Sequence, residues 1–417
     1  MSNDVYIYGV GMNKFGKYLD KGIKDLTGEA LKSLKNDSQI DFGELEAAWF
    51  SNSAWGMYQF QHSIRGQVAL SANNIDKIPI INVENACASG STAFHSAWMA
   101  IKSGYDCTLA IGAEKIYLED RKKMMGGFIT YTDVEKTRNL IQQLKENAER
   151  EKARKAEKEG VTETKETKGK KEGHSAFMDL YASAARYHMK KYGTTKLHYA
   201  IVAAKNHNNS TLNPLAQYTF PMTVEEVMED YEVSYPLTRA MCAPVGDGAA
   251  AAIICSEKFL KEHPNPKAIK IRASVLRSGS WKRDNVAQRA SSAAYEMAGI
   301  GPEQINVAEV HDATAYGEIT QIEQMGFCPL GQGGPFTETG ATQLDGTIPV
   351  NPSGGLLSRG HPIGASGLAQ IYELVLQLRG EAGERQVKNP RFALAENGGG
   401  TIGVGEAAMC VHILEKT

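Results

Sequence analysis

The chain has 417 residues, 42% of them hydrophobic and 23% charged, with a formal net charge of −2. That is the make-up of an ordinary soluble globular protein long enough for two or three domains, and it carries no general attraction to nucleic acid or to a membrane surface. Its six cysteines (Cys87, Cys107, Cys242, Cys255, Cys328 and Cys410) are scattered without a Cys-x-x-Cys pair, which argues against a zinc-ligand spacing or a disulfide framework and predicts a reducing cytoplasm.

The opening "MSNDVYIYGVGMNKFG" lacks a basic segment followed by an apolar run, so no secretory signal is expected. No window has the apolar length of a membrane-spanning helix. "DVYIYGVGM" reads as a first strand, followed by strands in "KIPIINVENA", "CTLAIGAEK", "AAAAIICSE", "AIKIRASVL", "INVAEVHDA", "FALAENGGG" and "AAMCVHILE". Helical patterns lie between several of them, notably "STAFHSAWMAIKSG" and "SGLAQIYELVLQLRG". This alternation predicts a largely buried, mixed sheet of an α/β protein.

Segments of the first half echo in the second, in the same order. Residues 245–259 and 404–416 both run from glycine and an acidic residue through paired alanines into a strand. Residues 109–115 and 394–400 are short apolar strands ending in small residues, and the strand and helix around Cys87 match residues 348–375. The pattern predicts a duplicated unit divided near "HPNPK": a first half of 1–120 plus 238–264, a second of 265–417, and a separate region over 121–237. Within that region, residues 134–173 are dominated by Glu, Lys, Arg and Thr and read as a solvated insertion, an exposed helix and then a loop.

Cys87 stands in "NVENACASGSTAFHSAW", where an apolar strand gives way to a small-residue helix. It is either a small buried hydrophobe or a nucleophile at a helix N-terminus. A nucleophile needs a base and oxyanion donors. His361 in "NPSGGLLSRGHPIGASG" and His311 in "AEVHDATAYGE" are candidates, although a turn or helix-capping role is the plain alternative for each. "ENGGG" (396–400), with Asn397, supplies unencumbered backbone N–H groups. All of these fall at strand ends, where α/β active sites form.

"ENACASGSTAFHSA", "HDATAYGE", "NPSGGLLSRGHPIGASG" and "CAPVGDGAAAAI" together resemble the thiolase superfamily, and within it the thiolases similar to sterol carrier protein X. The resemblance implies two βαβαβαββ halves in a five-layered α/β/α/β/α sandwich with an inserted loop domain. It implies Cys87 as the acyl-carrying nucleophile, His361 as its base, and His311 in one oxyanion hole. The backbone N–H groups of Cys87 and Gly399 would form the other. Coenzyme A would be a substrate rather than a bound cofactor, and no metal or redox cofactor is expected. A cysteinyl thioester mechanism on a 3-oxoacyl-CoA follows, in a β-oxidation-like direction, with an aromatic or branched acyl group such as that of benzoylsuccinyl-CoA as one substrate class. Acetoacetyl-CoA-forming condensation in a multi-subunit complex and an idle CoA-binding scaffold are the alternatives, and a decarboxylating ketoacyl synthase is a further rival.

The second cysteine of common thiolases is replaced here by Asn397, and that of the sterol carrier protein X type by Ala313. The second acid is then His361 acting twice, His311, water, or Cys328 from the loop "GFCPLGQG". Thiolases sharing this lack, the archaeal acetoacetyl-CoA and anaerobic aromatic-degradation types, imply a small zinc-ribbon/OB-fold partner besides a homodimer or tetramer. Trp55, Tyr58, Phe60 and Tyr316 are candidates for the wall of an acyl pocket, or for core.

Overall fold

The computed structural model describes residues 4–139, 142, 143, 146, 176–282, 284–403 and 405–417. Its strands are β1 (Val5–Met12), β2 (Ala47–Ser51), β3 (Ile80–Val83), β4 (Cys107–Glu114), β5 (Glu232–Ser234), β6 (Leu237–Thr238), β7 (Gly248–Ser256), β8 (Ile269–Ser278), β9 (Val307–Glu309), β10 (Phe392–Ile402) and β11 (Gly405–Lys416). The longer helices are α1 (Ile23–Ser38), α2 (Ser89–Lys102), α3 (Ala176–Tyr192), α4 (Lys196–Thr211), α5 (Val286–Ala298), α6 (Ala315–Gln324) and α7 (Ser366–Arg379). Beyond helical residues 134–139 and three isolated positions, the charged stretch lies outside the described residues.

Nine strands form one mixed sheet in the order β3-β2-β4-β7-β1-β8-β11-β10-β9. The two halves meet where β1 pairs with β8 over Tyr6–Lys270 and Ile7–Ile269. Within each half the order repeats. β2 and β4 are parallel, β4–β7 and β7–β1 antiparallel. Likewise β9 and β10 are parallel, β10–β11 and β11–β8 antiparallel. A parallel bridge from Ala308 to Val350 stands where β3 stands beside β2 in the first half. The echo read from the chain is a repeat in topology.

The alternation of side chains along each strand builds the layers. On β7, Ala250, Ala252 and Ile254 face a central core, while Ala249, Ala251, Ile253 and Cys255 face an outer one under α1. On β10 and β11, Ala393, Ala395 and Leu414 face the central core, and Leu394, Val411 and Ile413 face the outer core under α5. Both faces are covered, so β4 and β7 are buried along almost their whole length.

Helices α2 and α7 fill the layer between the two half-sheets, with Phe94, Ala97 and Ile101 packed among Leu368, Ile371 and Leu374. Their small first-turn residues bring the helices together at their N-termini. α3 and α4 form a separate cluster with Val227, Leu237 and Met241 that rests on α6 through Ala315 and Ile319. Short β2, bounded by no strong turn signal, and the β5–β6 hairpin were not foreseen from the chain.

Candidate active site

Cys87 follows β3 at the turn into α2. Ala86 before it has φ of 49°, a left-handed backbone that an alanine adopts only under constraint. The Ser89 hydroxyl supplies that constraint: it donates to the Ala86 carbonyl (2.6 Å) and accepts from the Asn85 N–H (2.8 Å). The sulfur therefore emerges just before the N-terminus of α2, on a turn that packing and hydrogen bonds hold in one conformation.

The second half brings His361 to that sulfur. Gly360 has φ of 106°, a conformation open to glycine, and turns the chain so that the imidazole projects inward. His361 Nε2 lies 3.3 Å from Cys87 Sγ, and Nδ1 lies 2.7 Å from the Ser366 hydroxyl. Ser366 donates its one hydrogen to the Pro362 carbonyl at 3.0 Å, so it accepts from Nδ1–H. Nε2 is left with a lone pair directed at the thiol.

His311 is held the other way round. The Asn397 amide nitrogen stands 2.9 Å from His311 Nδ1. An amide nitrogen only donates, so Nδ1 accepts and Nε2 carries the hydrogen. The His311 backbone N–H is fixed by the Glu396 carboxylate at 2.8 Å. The two rings lie edge to face, with centroids 5.3 Å apart. One histidine is thus an acceptor towards the sulfur and the other a donor beside it, and the three functional atoms all lie within 4.8 Å of one another.

The contact between Cys87 and His361 crosses the two halves, so something has to fix one against the other. The peptide of Gly364 is gripped at both ends by the first half. Glu114 accepts its N–H at 3.1 Å and Ser51 donates to its carbonyl at 2.7 Å. Glu114 also accepts from Asn52 Nδ2 and from the N–H groups of Ser53 and Ala54. Burial pushes Glu114 up to about 7 despite these donors.

Burial also sets the resting charge of the site. It pushes the Cys87 thiol up to about 12, with Glu84 adding to the effect and backbone N–H groups of Gly400 and Cys87 opposing it. Burial lowers His311 to about 4 and holds His361 well below its ordinary value, the latter helped by His311 and Arg359. The resting pair is a neutral thiol and a neutral imidazole. The helix end does not by itself make a thiolate here, because the desolvation cost of the charge exceeds what the dipole returns.

Several expectations shift on inspection. From the glycine turn a backbone N–H of Gly400 faces the Cys87 sulfur, and Gly399 abuts the backbone of the Cys87 turn. A Cβ on Gly399 would lie 2.2 Å from the Asn85 carbonyl oxygen and 2.4 Å from the Ala88 nitrogen. Asp312, the residue after His311, is committed elsewhere. Its carboxyl accepts from the N–H of Leu356 (2.6 Å) and from Asn206 Nδ2 (2.8 Å), capping the short helix Gly355–Arg359. Cys328 does not line the cavity beside Cys87 and His361: it is buried with Ile322, Met325 and Val350 in the outer core of the second half. Ala313 does line the cavity.

That cavity, of about 50 Å³, is walled by Phe128, Tyr131, Met178 and Tyr181 with Ile116 and Ile363. None of the four aromatics expected from the chain lines it. Phe60 is 79% exposed, Trp55 belongs to the outer core under α1, and Tyr316 packs on Tyr199. Tyr58 lies one layer behind, its hydroxyl donating to the Met124 carbonyl. Sequence reading missed Ser366, Glu114, Glu396 and these walls. Ser366 sits inside the "GASG" of a quoted motif, but a serine opening a helix carries no signal of contact with an imidazole.

The chain matches the thiolase N-terminal domain over residues 5–234 and the thiolase C-terminal domain-like family over residues 272–416. It is 36% identical to an acetyl-CoA acetyltransferase of Methanothermobacter thermautotrophicus, across 99% of this chain and 100% of the relative. It is 35% identical to bovine sterol carrier protein 2, across 98% of this chain and 72% of that protein. It is 33% identical to the benzoylsuccinyl-CoA thiolase subunit BbsB of Thauera aromatica, across 96% of each. Among solved structures, an Ltp2-ChsH2(DUF35) aldolase superposes with a TM-score of 0.74 at 20% identity, covering 99% of this chain and 98% of that one. Human mitochondrial 3-ketoacyl-CoA thiolase gives 0.66 at 15% identity, covering 99% of each. A repeated half with Cys87 from one copy and both histidines from the other, and full-length similarity to thiolases, lead to one conclusion: this chain belongs to the thiolase family and is a CoA-dependent acyltransferase.

Proposed function

We propose that this thiolase makes and breaks the C2–C3 bond of a 3-oxoacyl-CoA through an acyl thioester on Cys87, with His361 as base and His311 as an oxyanion donor. The observation that carries the reading is the 3.3 Å contact between Cys87 Sγ and the free lone pair of His361 Nε2. In the cleavage direction the thiol gives its proton to Nε2 as the sulfur attacks the 3-keto carbon. Because the resting pair is neutral, charge appears only as the bond forms, where N–H groups of Cys87 and the Gly399–Gly400 turn meet the new oxyanion. The C2–C3 bond then breaks, and the enolate oxygen takes a hydrogen bond from His311 Nε2–H. His361, holding the thiol proton, returns it to the enolate carbon. A free CoA thiol next attacks the Cys87 thioester and gives its proton to His361; the bond from the acyl carbon to Cys87 Sγ breaks, and His361 returns the proton to that sulfur. With Asn397 and Ala313 where other thiolases carry cysteine, one imidazole serves both proton transfers.

The acyl group on Cys87 is short in this reading. A buried cavity known to take a benzene ring has about 150 Å³, and this one has about 50 Å³. That supports acetyl transfer, as the acetyl-CoA acetyltransferase relative suggests, over the aromatic group in the name of BbsB. We further propose a homo-oligomer built across the edge strand β3, where Ile81 is 39% exposed. A small partner chain is supported by the word subunit in one relative's name and by the two-part name of a similar structure. Among the described residues no helix is long and apolar enough to cross a membrane; a cytoplasmic site of action is our reading.

Incubation with acetyl-CoA, then peptide mass analysis, should place one acetyl group on Cys87 and none in Cys87→Ala or His361→Ala. Acetoacetyl-CoA with CoA should give acetyl-CoA. Acetylation elsewhere only, or carbon dioxide released from malonyl thioesters without thiolysis, would overturn the reading.

A further inference from the structure

We propose that Cys87, His311 and His361 together form a binding site for a soft divalent cation, Zn²⁺ foremost, and that its occupancy blocks acylation. Their sulfur and two imidazole nitrogens lie within 4.8 Å of one another, and the sulfur and His361 Nε2 are 3.3 Å apart. Zinc holds thiolate at about 2.3 Å and imidazole at about 2.0 Å, which puts tetrahedral donors about 3.5 Å apart. Side-chain rotations that close the wider gap by about 1 Å complete the site. The positions 87, 311 and 361 are too far apart in the chain for any ligand spacing to reveal this.

The surroundings are those of a ligand set. The second nitrogen of His361 is tied to Ser366 Oγ at 2.7 Å and that of His311 to Asn397 at 2.9 Å, so each ring is held in orientation by a second contact. Asn397 Oδ1 is buried and has no partner. Turning that amide over offers Oδ1 to a hydrogen on His311 Nδ1 and frees the Nε2 lone pair for the metal. The fourth position opens on the cavity bounded by Met178 and Tyr181, where water fits. On binding, one sulfur–metal and two nitrogen–metal bonds form, the thiol proton and the waters they displace from the cation leave to solvent, and no electron is transferred. The cation then occupies the sulfur lone pair that attacks the acyl carbon and the nitrogen lone pair that takes the proton. The blocking effect rests on Cys87 as acyl carrier; the site itself does not.

Binding is measured without turnover, by titrating the full chain with cobalt(II) chloride. One equivalent should bring the visible bands of a tetrahedral ion and a sulfur-to-cobalt charge-transfer band, both erased by zinc chloride. Cys87→Ser should lose the charge-transfer band, and His311→Ala should weaken cobalt about tenfold or more. Ser366→Ala, which keeps all three ligands, should weaken it by less. Acetylation of Cys87 by acetyl-CoA should fall in step with zinc and return on chelation. No charge-transfer band, or the same band in Cys87→Ser, overturns the site. Full zinc occupancy with undiminished acetylation overturns the blocking. A chain that binds cobalt through Cys87 but is never acetylated there supports the site and counts against the thiolase mechanism.

Discussion

Gly399→Ala tests whether the backbone approach behind Cys87 sets the geometry of the reaction. The added carbon would stand 2.2 Å from the Asn85 carbonyl oxygen and 2.4 Å from the Ala88 nitrogen. Non-bonded contacts settle near 3.5 Å, so about 1 Å has to be found. Both obstructing atoms are backbone, and they flank Cys87 on either side. β10 is held by β9 and β11, so the strain falls on the turn that carries Cys87. A 1 Å misplacement of a reacting group costs about 100-fold in rate, and overpacking of this kind costs about 1–3 kcal/mol of stability. Rapid quench with acetyl-CoA, followed by mass analysis of the Cys87 peptide, measures the first; urea denaturation measures the second. Gly126→Ala, with nothing within 4 Å of the added carbon, should change neither. Acetylation of Gly399→Ala within twofold of the parent would refute the argument.

Alkylation of Cys87 by iodoacetamide should quicken about tenfold per pH unit from about pH 6 to about pH 10, without a plateau. The thiol is held up near 12 and the imidazole well below its usual value, so thiolate grows only as pH rises; a flat rate from acid to neutral pH would reveal a resting ion pair instead. Ser366→Ala removes the acceptor that keeps the His361 hydrogen on Nδ1. Losing that hydrogen bond, worth about 1–1.5 kcal/mol, should slow acetylation about five- to tenfold while the KM for acetyl-CoA stays put, and an unchanged rate would show that the ring needs no such hold. Lys205→Met strips the cation from fully buried Glu318, whose Oε1 lies 2.5 Å from Lys205 Nζ and whose Oε2 accepts from the Asn206 and Asn351 amides. It should cost about 3–5 kcal/mol in chemical denaturation, and an unmoved midpoint would show that the pair adds nothing to the stability of the folded chain.

Much was readable in the chain because it depends on local pattern. Strands buried on both faces leave continuous apolar runs, so "AAAAIICSE" and "AAMCVHILE" fell on β7 and β11. Glycine-rich blocks around His361 and Asn397 marked where the backbone comes close, and the ordered echoes marked a repeat. Five-residue β2, with no such pattern at its ends, did not declare itself. Which aromatics wall the cavity was also hidden, since Phe128, Tyr131 and Tyr181 read like any core residue until the inserted region is folded against Cys87.

The amino-acid order by itself determined the repeated α/β plan and the three residue types the chemistry needs, since periodicity and glycine placement are properties of neighbours along the chain. Tertiary structure alone decided the charge and tautomer of those groups. Burial keeps Cys87 and His361 neutral, Ser366 and Asn397 set the two imidazoles in opposite senses, and the Gly364 peptide, gripped by Glu114 and Ser51, fixes one half against the other. Desolvation and hydrogen-bond direction are set by how the folded chain packs around each group, and the order of residues along the chain does not encode them.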